Sequence, residues 1–579
     1  MAAAVAQISQ ISPASGSHPD ALFVASQILI AQGRLADARR TLDALCAMVP
    51  ENPHVWNALG KLLAIEGAAG LSVDAYAQAA ALDPHGIEHW FNLASAQITA
   101  RDFDAALAAL RKAENLGSRD AKLSTLRGLA ERGLGANPAA EKAFREALDR
   151  APGDIAARHN LAEVLRAMSQ HDEALAMIGD ASGMPTVSRH LRANLLADLG
   201  RFDEAVAIYD AVIDADPALA DAPAALAALL PQLGREDEAL DGFRRALGAN
   251  ADDKALLYAA ITAARDNRQS GQLGEWCDEA ERRFGADPFV AMARAIGQAM
   301  AGERGAAIGG FRQLLRTLPD EAGIHAHLAP LLLAEGDWDG GERHALAASQ
   351  LAPLDQSGWA WLTTAWRLKN DPREHWLADY ERLVMPIDLG LSPGDLEALA
   401  AALHRLHITS THPANQSPRG GTQTNGSLFD RPLPELRALA ETIRAATAQH
   451  LASLPRDAAH PFLSRISATI DFAGSWSIRL ASQGFHTAHI HHKGWLSSAF
   501  YAELPAEIVT GTGDAGALQF GVPDETLGLE LAPRRVVQPR LGALVLFPSY
   551  FWHGTVPFTA RRPRMSVAFD ALPSKGAAQ

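Results

Sequence analysis

The chain has 579 residues, of which 48% are hydrophobic and 21% charged, a balance typical of folded globular domains. This composition excludes a fibrous protein and a wholly disordered one. Because single cores stop growing near about 250–300 residues, we expect at least two domains. The 67 acidic and 52 basic side chains give a formal charge of -15, so we expect neither nucleic acid nor an anionic membrane as a general partner.

Three features of the sequence concern the compartment. Residues 1–19 are rich in Ala, Ser and Gln, without a basic start or an apolar core, and they predict a flexible tail and no signal peptide. The longest apolar stretches, such as residues 222–231, are shorter than the roughly 20 residues that cross a bilayer, so no membrane segment is expected. Cys46 and Cys277 are too few for a disulfide framework. We therefore expect a cytoplasmic protein.

A spacing of 34 residues recurs through the first two-thirds of the chain. Trp56 and Trp90 are separated by it. Small residues keep the same spacing in four consecutive units, at Gly60, Ala94, Gly128 and Ala162. The period predicts a repeat domain over residues 20–384.

Each repeat is predicted to be a helical hairpin, because two stretches of about a dozen residues carry apolar residues at helical spacing around a Gly or Asp turn. Small residues at the crossing point let the two helix axes approach. These units resemble tetratricopeptide repeats, about ten of them. The resemblance implies a superhelix whose groove binds a protein or peptide segment. A spacer or dimerisation arm without a ligand stays open as the alternative, and so does the oligomeric state.

The composition changes at about Met385, where the repeat period ends and alternating segments begin. We expect a linker with supporting helices over 385–460, a β-core over 461–573 and a flexible tail over 574–579. The predicted helices cover 394–406 and 434–453. The predicted strands cover 462–470, 476–481, 495–504, 517–520, 543–547 and 565–571. Short strands without intervening helices predict an antiparallel sandwich or barrel.

Four histidines lie within seven positions, at His486, His489, His491 and His492. In an extended strand His489 and His491 would face the same way, and such a pair invites a metal ion. A catalytic metal needs a third ligand from elsewhere in the chain, and His553 is the candidate. Farther along, Arg564 and Ser566 offer a guanidinium and a hydroxyl on one strand face, which suits a carboxylate.

This order of residues resembles the double-stranded β-helix (jelly-roll) domain of Fe(II)/2-oxoglutarate-dependent oxygenases. The segments GSWSIRL, GALQFG, LVLFPSYFWHGTVPF and RMSVAFD resemble a bacterial group of such enzymes with tetratricopeptide repeats in front. The resemblance implies that His489 and His553 bind iron and that Arg564 and Ser566 hold the distal carboxylate of 2-oxoglutarate.

One position departs from the broad superfamily, which has Asp or Glu two residues after the first histidine, where this chain has His491. We expect a three-histidine site. Two alternatives remain: His491 is not a ligand and the iron has two protein ligands, or Asp514 or Asp524 supplies a carboxylate.

The remaining candidates concern the surroundings of the site. Residues 416–424 resemble a stretch of the same bacterial group, so Arg419 and Gln423 are expected at the substrate entrance; an ordinary flexible loop is the alternative for 416–424. Trp495 is a further candidate for the entrance, and it is expected either in the core or in the pocket wall. Arg564 could instead join Arg561 and Arg562 in an exposed basic cluster.

We thus expect a multidomain oxygenase that uses Fe(II) and 2-oxoglutarate, with ascorbate as a reductant, and no catalytic side chain beyond the metal centre. The repeats, and the similar layout of aspartyl/asparaginyl hydroxylases, favour hydroxylation of a protein or peptide. A non-catalytic adaptor with a degenerate barrel and an oxygenase acting on a small molecule are the alternatives.

Overall fold

The computed structural model describes residues 18–180, 183–413, 416–511 and 513–574. The flexible tails expected at 1–19 and 574–579 therefore lie largely outside the described residues, although Pro19 already begins a helix and Ser574 is hydrogen-bonded to Thr469. The chain divides into two compact units, Met1–Met184 and Pro185–Gln579. The division falls inside the repeats, so the second half of the repeats belongs to the same unit as the C-terminal domain.

The first unit consists of five antiparallel helix pairs within its described residues. The helices are α1 Pro19–Ala31, α2 Leu35–Met48, α3 Pro53–Ile65, α4 Ala69–Leu82, α5 Ile87–Thr99, α6 Phe103–Asn115, α7 Ala121–Gly133, α8 Asn137–Arg150, α9 Ile155–Ala167 and α10 His171–Ile178. Close approach of the paired helices needs the small residues of the repeat. A Cβ added at Gly128 would come within 2.6 Å of the Phe144 ring. The 34-residue period therefore marks helix crossings, as predicted.

The second unit begins with five more helix pairs. They are α11 Thr186–Asp198, α12 Phe202–Ala215, α13 Asp221–Leu229, α14 Asp241–Ala249, α15 Lys254–Asp266, α16 Ser270–Phe284, α17 Pro288–Met300, α18 Arg304–Leu315, α19 Ala322–Ala334 and α20 Trp338–Leu351. Three helices follow, α21 Gln356–Leu368, α22 Arg373–Leu377 and α23 Tyr380–Leu383. No described helix of either unit is both apolar enough and long enough to cross a membrane.

The turn between the helices of a pair places one residue in the left-handed region. Gly holds this position in most repeats, as at Gly234 with φ 77° and Gly302 with φ 81°. Arg101 and Arg268 hold it with φ 63° and 56°. A left-handed conformation costs a residue with a Cβ about 1 kcal/mol, so these two arginines carry backbone strain that Gly would avoid.

The C-terminal domain contains two antiparallel sheets, as predicted. The strands are β1 Met385–Asp388, β2 Pro418–Gln423, β3 Ile470–His486, β4 Leu496–Glu503, β5 Leu518–Phe520, β6 Arg535–Val537, β7 Ala543–Pro548, β8 His553–Thr555 and β9 Arg564–Pro573. The six-stranded sheet has the order β1-β7-β4-β9-β3-β2, and the three-stranded sheet has the order β6-β5-β8. Three helices accompany them, α24 Pro393–Leu406, α25 Pro434–Ser453 and α26 Ala506–Thr510.

The strand predictions are wrong in two places, and they omit strands such as β2. The segment 462–470 contains a 3₁₀ turn, Leu463–Arg465, and β3 begins only at Ile470. β3 then ends at His486, so His489 and His491 lie in the connection after the strand and not on it. The segment 416–424, for which a loop was the alternative, contains edge strand β2, which pairs with β3.

The repeats of the second unit pack directly on the C-terminal domain and share one hydrophobic core with it. Trp361 of α21 contacts Trp552, with ring centroids 4.6 Å apart. The Arg304 guanidinium donates to the carbonyls of Thr526 and Leu527. Within this unit the repeats are therefore part of the body that carries the β-sheets.

Candidate metal centre and adjoining cavity

Three histidines converge at the opening between the two sheets. His489 and His553 form an isolated antiparallel bridge and exchange both backbone hydrogen bonds, at 3.0 and 3.1 Å. The His491 backbone N–H donates to the carbonyl of Ser549 at 3.0 Å. One ring nitrogen from each of the three side chains lies within 4.8 Å of the other two. These backbone bonds hold the extended segment after β3 against the segment before β8.

Hydrogen bonds orient all three rings in the same sense. The Nδ1–H of His489 donates to the Thr487 carbonyl at 2.8 Å, and that of His553 donates to the Phe551 carbonyl at 2.9 Å. The Nδ1–H of His491 donates to the Asp570 carboxylate at 2.6 Å. Each ring therefore turns its Nε2 lone pair toward the cluster, where the Nε2 atoms of His489 and His491 are 3.2 Å apart and the Nε2 of His489 also lies 3.2 Å from the Ser417 hydroxyl.

Burial favours the neutral form, which binds metals, for His489 and His553. Burial, followed by the proximity of His491, lowers the pKa of His489 to about 3. The pKa of His553 lies well below its ordinary value, first because of burial and then because of His489. Two neutral imidazoles thus share a cluster with a third, His491, whose Nδ1 is held by Asp570.

Arg564 is a buried cation, and two of its three guanidinium nitrogens have no acceptor among the described residues. Its side chain is 1% exposed, and its Nε and Nη1 atoms have no hydrogen-bond partner among the described residues. The guanidinium carbon lies 5.0 Å from the centroid of the Tyr501 ring. A buried guanidinium that lacks partners is costly unless an anion completes it. The alternative of an exposed basic cluster with Arg561 and Arg562 is therefore wrong for Arg564.

The three histidines, Arg564 and Ser566 line one cavity of about 570 Å³. Ser566 is 3% exposed and pairs with Ile478 across the β3–β9 ladder, two residues from Arg564 on the same face. The cavity thus has imidazole nitrogens and a cation on its walls. This arrangement fits a small molecule that has a metal-chelating end and a carboxylate end.

The sequence left two aspartates as possible ligands, and neither belongs to the histidine cluster of the described residues. The Asp514 carboxylate accepts a hydrogen bond from Gln538 at 2.9 Å. Asp524 lines the cavity, but its Oδ1 accepts from the backbone N–H and the hydroxyl of Thr526, at 2.9 and 2.7 Å. The carboxylate nearest the cluster is instead Asp570, behind His491.

Sequence reasoning missed Asp570 and the hydroxyls around it. The Ser497 hydroxyl donates to Asp570 at 2.6 Å and lies 2.8 Å from the Ser549 hydroxyl. Asp570 pairs with Ser497 across β4 and β9. The only sequence signal was its place in the segment RMSVAFD, two alternations after Ser566 on the same strand face.

The three entrance residues have different surroundings. Arg419 and Gln423 of β2 line the cavity. Trp495 does not, so its placement at the entrance is wrong, and it lies in the core, one of the two surroundings expected for it. It is 1% exposed, stacks on Phe462 and donates its indole N–H to the Phe462 carbonyl at 3.1 Å. Trp476 lines the cavity and stacks on His491 with centroids 5.4 Å apart.

Family comparisons agree with this architecture. Residues 474–570 match a family described as "Putative 2OG-Fe(II) oxygenase". Residues 23–87, 91–155 and 190–254 match the tetratricopeptide repeat. The chain therefore combines tetratricopeptide repeats with a C-terminal domain of this oxygenase family, as the sequence resemblance predicted. No curated protein matches the chain.

Several solved structures are similar to the helical part. MamA (41-end) from Desulfovibrio magneticus RS-1 is 20% identical over 28% of this chain and 92% of that chain, with a TM-score of 0.27. A thermophilic tetratricopeptide-repeat protein of Thermus thermophilus, TTC0263, is 22% identical over 31% and 98%, with a TM-score of 0.27. Yeast Tom70 is 14% identical over 76% and 97%, with a TM-score of 0.34. At these identities and TM-scores the similarity carries no functional information.

Proposed function

We propose that this protein is an oxygenase that uses Fe(II) and 2-oxoglutarate to oxidise a C–H bond of a protein or peptide. The observation that carries the proposal is the presence, in one cavity, of three converging imidazoles and a buried Arg564 whose Nε and Nη1 have no acceptor among the described residues. The family match of residues 474–570 supports it.

The donor atoms fit iron. Imidazole nitrogen is a good ligand for Fe(II), and three protein ligands on one side leave positions for a chelating co-substrate and O₂. His489, His491 and His553 would hold the metal, which when bound supplies the activation of O₂. A third imidazole in place of a carboxylate makes the centre one charge more positive, and Asp570 offsets part of that charge through His491.

The other end of the cavity fits the second carboxylate of 2-oxoglutarate. The Nε and Nη1 atoms of Arg564 offer N–H donors without partners in the described residues, and Ser566 adds a hydroxyl. Tyr501 lies against the guanidinium and orients it. No described side chain beyond the histidine cluster is required as an acid or base. The chain's task is to orient the bound groups and to exclude water.

The test is succinate release by the full chain with Fe(II), 2-oxoglutarate and O₂, measured with and without ascorbate. Arg564→Ala should raise the KM for 2-oxoglutarate by about 10- to 100-fold, because charge-assisted hydrogen bonds to the carboxylate are lost. Arg562→Ala, on the exposed side of the same segment, is the matched control. No succinate release from the wild-type protein would leave a non-catalytic scaffold as the function.

The peptide substrate follows from the repeats, because tetratricopeptide repeats generally bind protein or peptide segments. The cytoplasm is the expected compartment, and the free, buried thiols of Cys46 and Cys277 support it. Incubation of the protein with a proteome extract, followed by mass spectrometry for a gain of one oxygen atom, tests the substrate class. If the protein oxidises metabolites and no polypeptide, the peptide substrate is wrong and the protein is an oxygenase that acts on a small molecule.

A further inference from the structure

A second cavity of about 540 Å³ adjoins the catalytic one. The two cavities share Gln416, Gln423 and Trp476 in their linings. One wall of the second cavity comes from the repeat helices α13 and α15, and the opposite wall comes from residues of the segment 413–426 of the C-terminal domain. We call this second cavity the cleft. The two cavities therefore lie side by side, with these three residues between the cleft and the histidine cluster.

The cleft is lined by the groups that bind an extended polypeptide. Alanines of α13 and α15 form an apolar floor without long side chains, and carboxamide side chains stand along its edges. The carboxamides are Gln232, Asn267, Gln416, Gln423 and Asn425. Carboxamides both donate and accept hydrogen bonds, as the peptide backbone does. Gln232 and Asn425 already bond each other across the cleft at 3.2 Å.

Two guanidinium groups stand at the catalytic end of the cleft. Arg268 and Arg419 both line the catalytic cavity, and neither forms an ion pair within the described residues. Arg419 is half-buried, and its Nη1 donates to the carbonyls of Gln416 and Pro418, both at 2.7 Å. Asp524, which lines the same cavity, accepts two hydrogen bonds from Thr526 through its Oδ1. Asp266, which lines the cleft, forms an ion pair with Arg265. In a chain with a net charge of -15, two such cations side by side are a local exception.

Arg268 occupies a position where the repeat favours glycine. Its φ of 56° is left-handed, and the equivalent turns carry Gly234 and Gly302. The arginine brings a strained backbone to a turn that lines the cavity. Arg101 holds the same position in the first unit, with φ 63°, but its guanidinium lies 5.9 Å from the Phe103 ring and lines neither cavity. The left-handed backbone is common to Arg101 and Arg268, so it does not by itself mark a binding site. Arg268 is distinguished by lining the cavity as well.

We propose that Arg268 and Arg419 select a polypeptide substrate that carries an acidic residue next to the residue presented to the metal, with the rest of the segment lying in the cleft. This inference rests on the proposed oxygenase function. It assigns the two walls of one substrate site to two parts of the chain: the repeats supply Arg268 and the floor, and β2 supplies Arg419 and Gln423.

The test uses two pools of fluorescein-labelled decapeptides, one with a central Asp and one with a central Asn, both randomised over Ala, Gly, Ser and Leu elsewhere. Binding to the full chain is measured by fluorescence anisotropy, with Fe(II) and 2-oxoglutarate present and O₂ excluded. We expect the Asp pool to bind about tenfold more tightly than the Asn pool, because charge-assisted hydrogen bonds are the strong ones. The preference should weaken as salt is added.

Arg268→Gly is the informative variant, because glycine relieves the strained turn while removing the cation. Its melting temperature should equal or exceed that of the wild type, while the preference for the Asp pool falls to about twofold or less. Arg419→Gln should reduce the preference in the same way. Arg101→Gly, the matched control, should keep the wild-type preference.

Equal binding of the two pools, binding of neither pool, or a preference that survives both substitutions would overturn the inference. Succinate release by the wild-type protein is measured separately and does not depend on the peptide pools. A protein that releases succinate but ignores the central Asp would thus disprove the acidic selectivity and leave the oxygenase function standing.

Discussion

Asp570 contributes to the histidine cluster by orienting the His491 ring. Its carboxylate accepts the Nδ1–H of His491 at 2.6 Å, while Ser497 donates to the same oxygen at the same distance. The neighbouring histidines use backbone carbonyls for this purpose. His491 is thus the one member of the cluster oriented by a charged group. His491 stands at the position where the broader superfamily has Asp or Glu. The negative charge of Asp570 therefore lies behind the His491 ring, and the ring separates it from the centre of the cluster.

Asp570→Asn should therefore weaken metal binding without removing a ligand. We expect the affinity for Fe(II) to fall by about 10- to 100-fold, the usual effect of losing a partner that orients a metal-binding histidine. Titration of the metal-free protein with Fe(II) under anaerobic conditions measures this. Asp514→Asn is the control, because that carboxylate binds Gln538. Full affinity in Asp570→Asn would show that His491 needs no charged partner.

At the residue scale, the sequence predicted which side chains meet but not what holds them. The dense histidines, His553 and the Arg564/Ser566 pair are polar residues in apolar surroundings, and such residues stand out in a sequence. Asp570 could not be found in that way, because its role depends on a contact with a residue 79 positions away. The sequence left Trp495 open between the core and the pocket wall, because an aromatic side chain packs equally well in both.

At the scale of elements, the helix pairs were the easiest feature to predict, because one period fixes both the helices and their crossings. The short strands were harder. β2 contains two glycines and lies at an edge, and β8 has three residues, so neither shows alternation long enough to detect. The His-x-His segment is extended without being a strand, and its register comes from backbone bonds to His553 and Ser549.

The crossing of α7 and α8 offers a test of the repeat. Gly128→Ala places a methyl group within 2.6 Å of the Phe144 ring, so the helices must separate. We expect a loss of about 1–3 kcal/mol in the free energy of unfolding, typical of overpacking. Gly70→Ala in α4 is the control: its Cβ meets open space, so it should stabilise by up to about 1 kcal/mol. Urea denaturation followed by circular dichroism measures both, and equal effects would contradict the packing argument.

His407 joins three elements at the end of α24. Its ring nitrogens bond the hydroxyls of Thr422 on β2, at 2.7 Å, and Ser477 on β3, at 3.0 Å. Burial, followed by the charge of Arg479, lowers its pKa from 6.5 to about 3. The folded state thus holds the neutral ring while the unfolded state takes up a proton as the pH falls. The stability that His407 provides is complete above pH 6.5 and is lost progressively toward pH 3.

The measurable consequence is a difference in acid sensitivity. Between about pH 7.5 and about pH 4.5 the melting temperature of His407→Gln should fall less than that of the wild type, because the substituted side chain does not titrate. His375→Gln, at an exposed histidine of the same unit, should follow the wild type. Parallel pH profiles for all three proteins would show that His407 does not contribute to acid denaturation.

At the scale of the molecule, the boundary between the two compact units does not coincide with the point where the amino-acid composition changes. The sequence changes character at Met385, where β1 begins, but the second unit begins at Pro185. The reason is packing: the indole N–H of Trp552 donates to the Thr364 hydroxyl of α21 at 3.1 Å, and Trp552 contacts Trp361. Contacts between distant segments leave no trace in composition, so this boundary could not be predicted.

A chain that begins at Pro185 should therefore fold and bind Fe(II), whereas one that begins at Met385 should aggregate, because it exposes the apolar surface that α21 covers. Size-exclusion chromatography and thermal unfolding with and without Fe(II) compare the two. A soluble, metal-binding protein from the shorter chain would show that the repeats are dispensable for the β-sheets.

The backbone N–H of Gln356, the first residue of α21, donates to the carbonyl of His492 at 3.0 Å. This hydrogen bond joins the first turn of α21 to the residue that follows His491. Any change that shifts the start of α21 would therefore also shift the segment that carries His491.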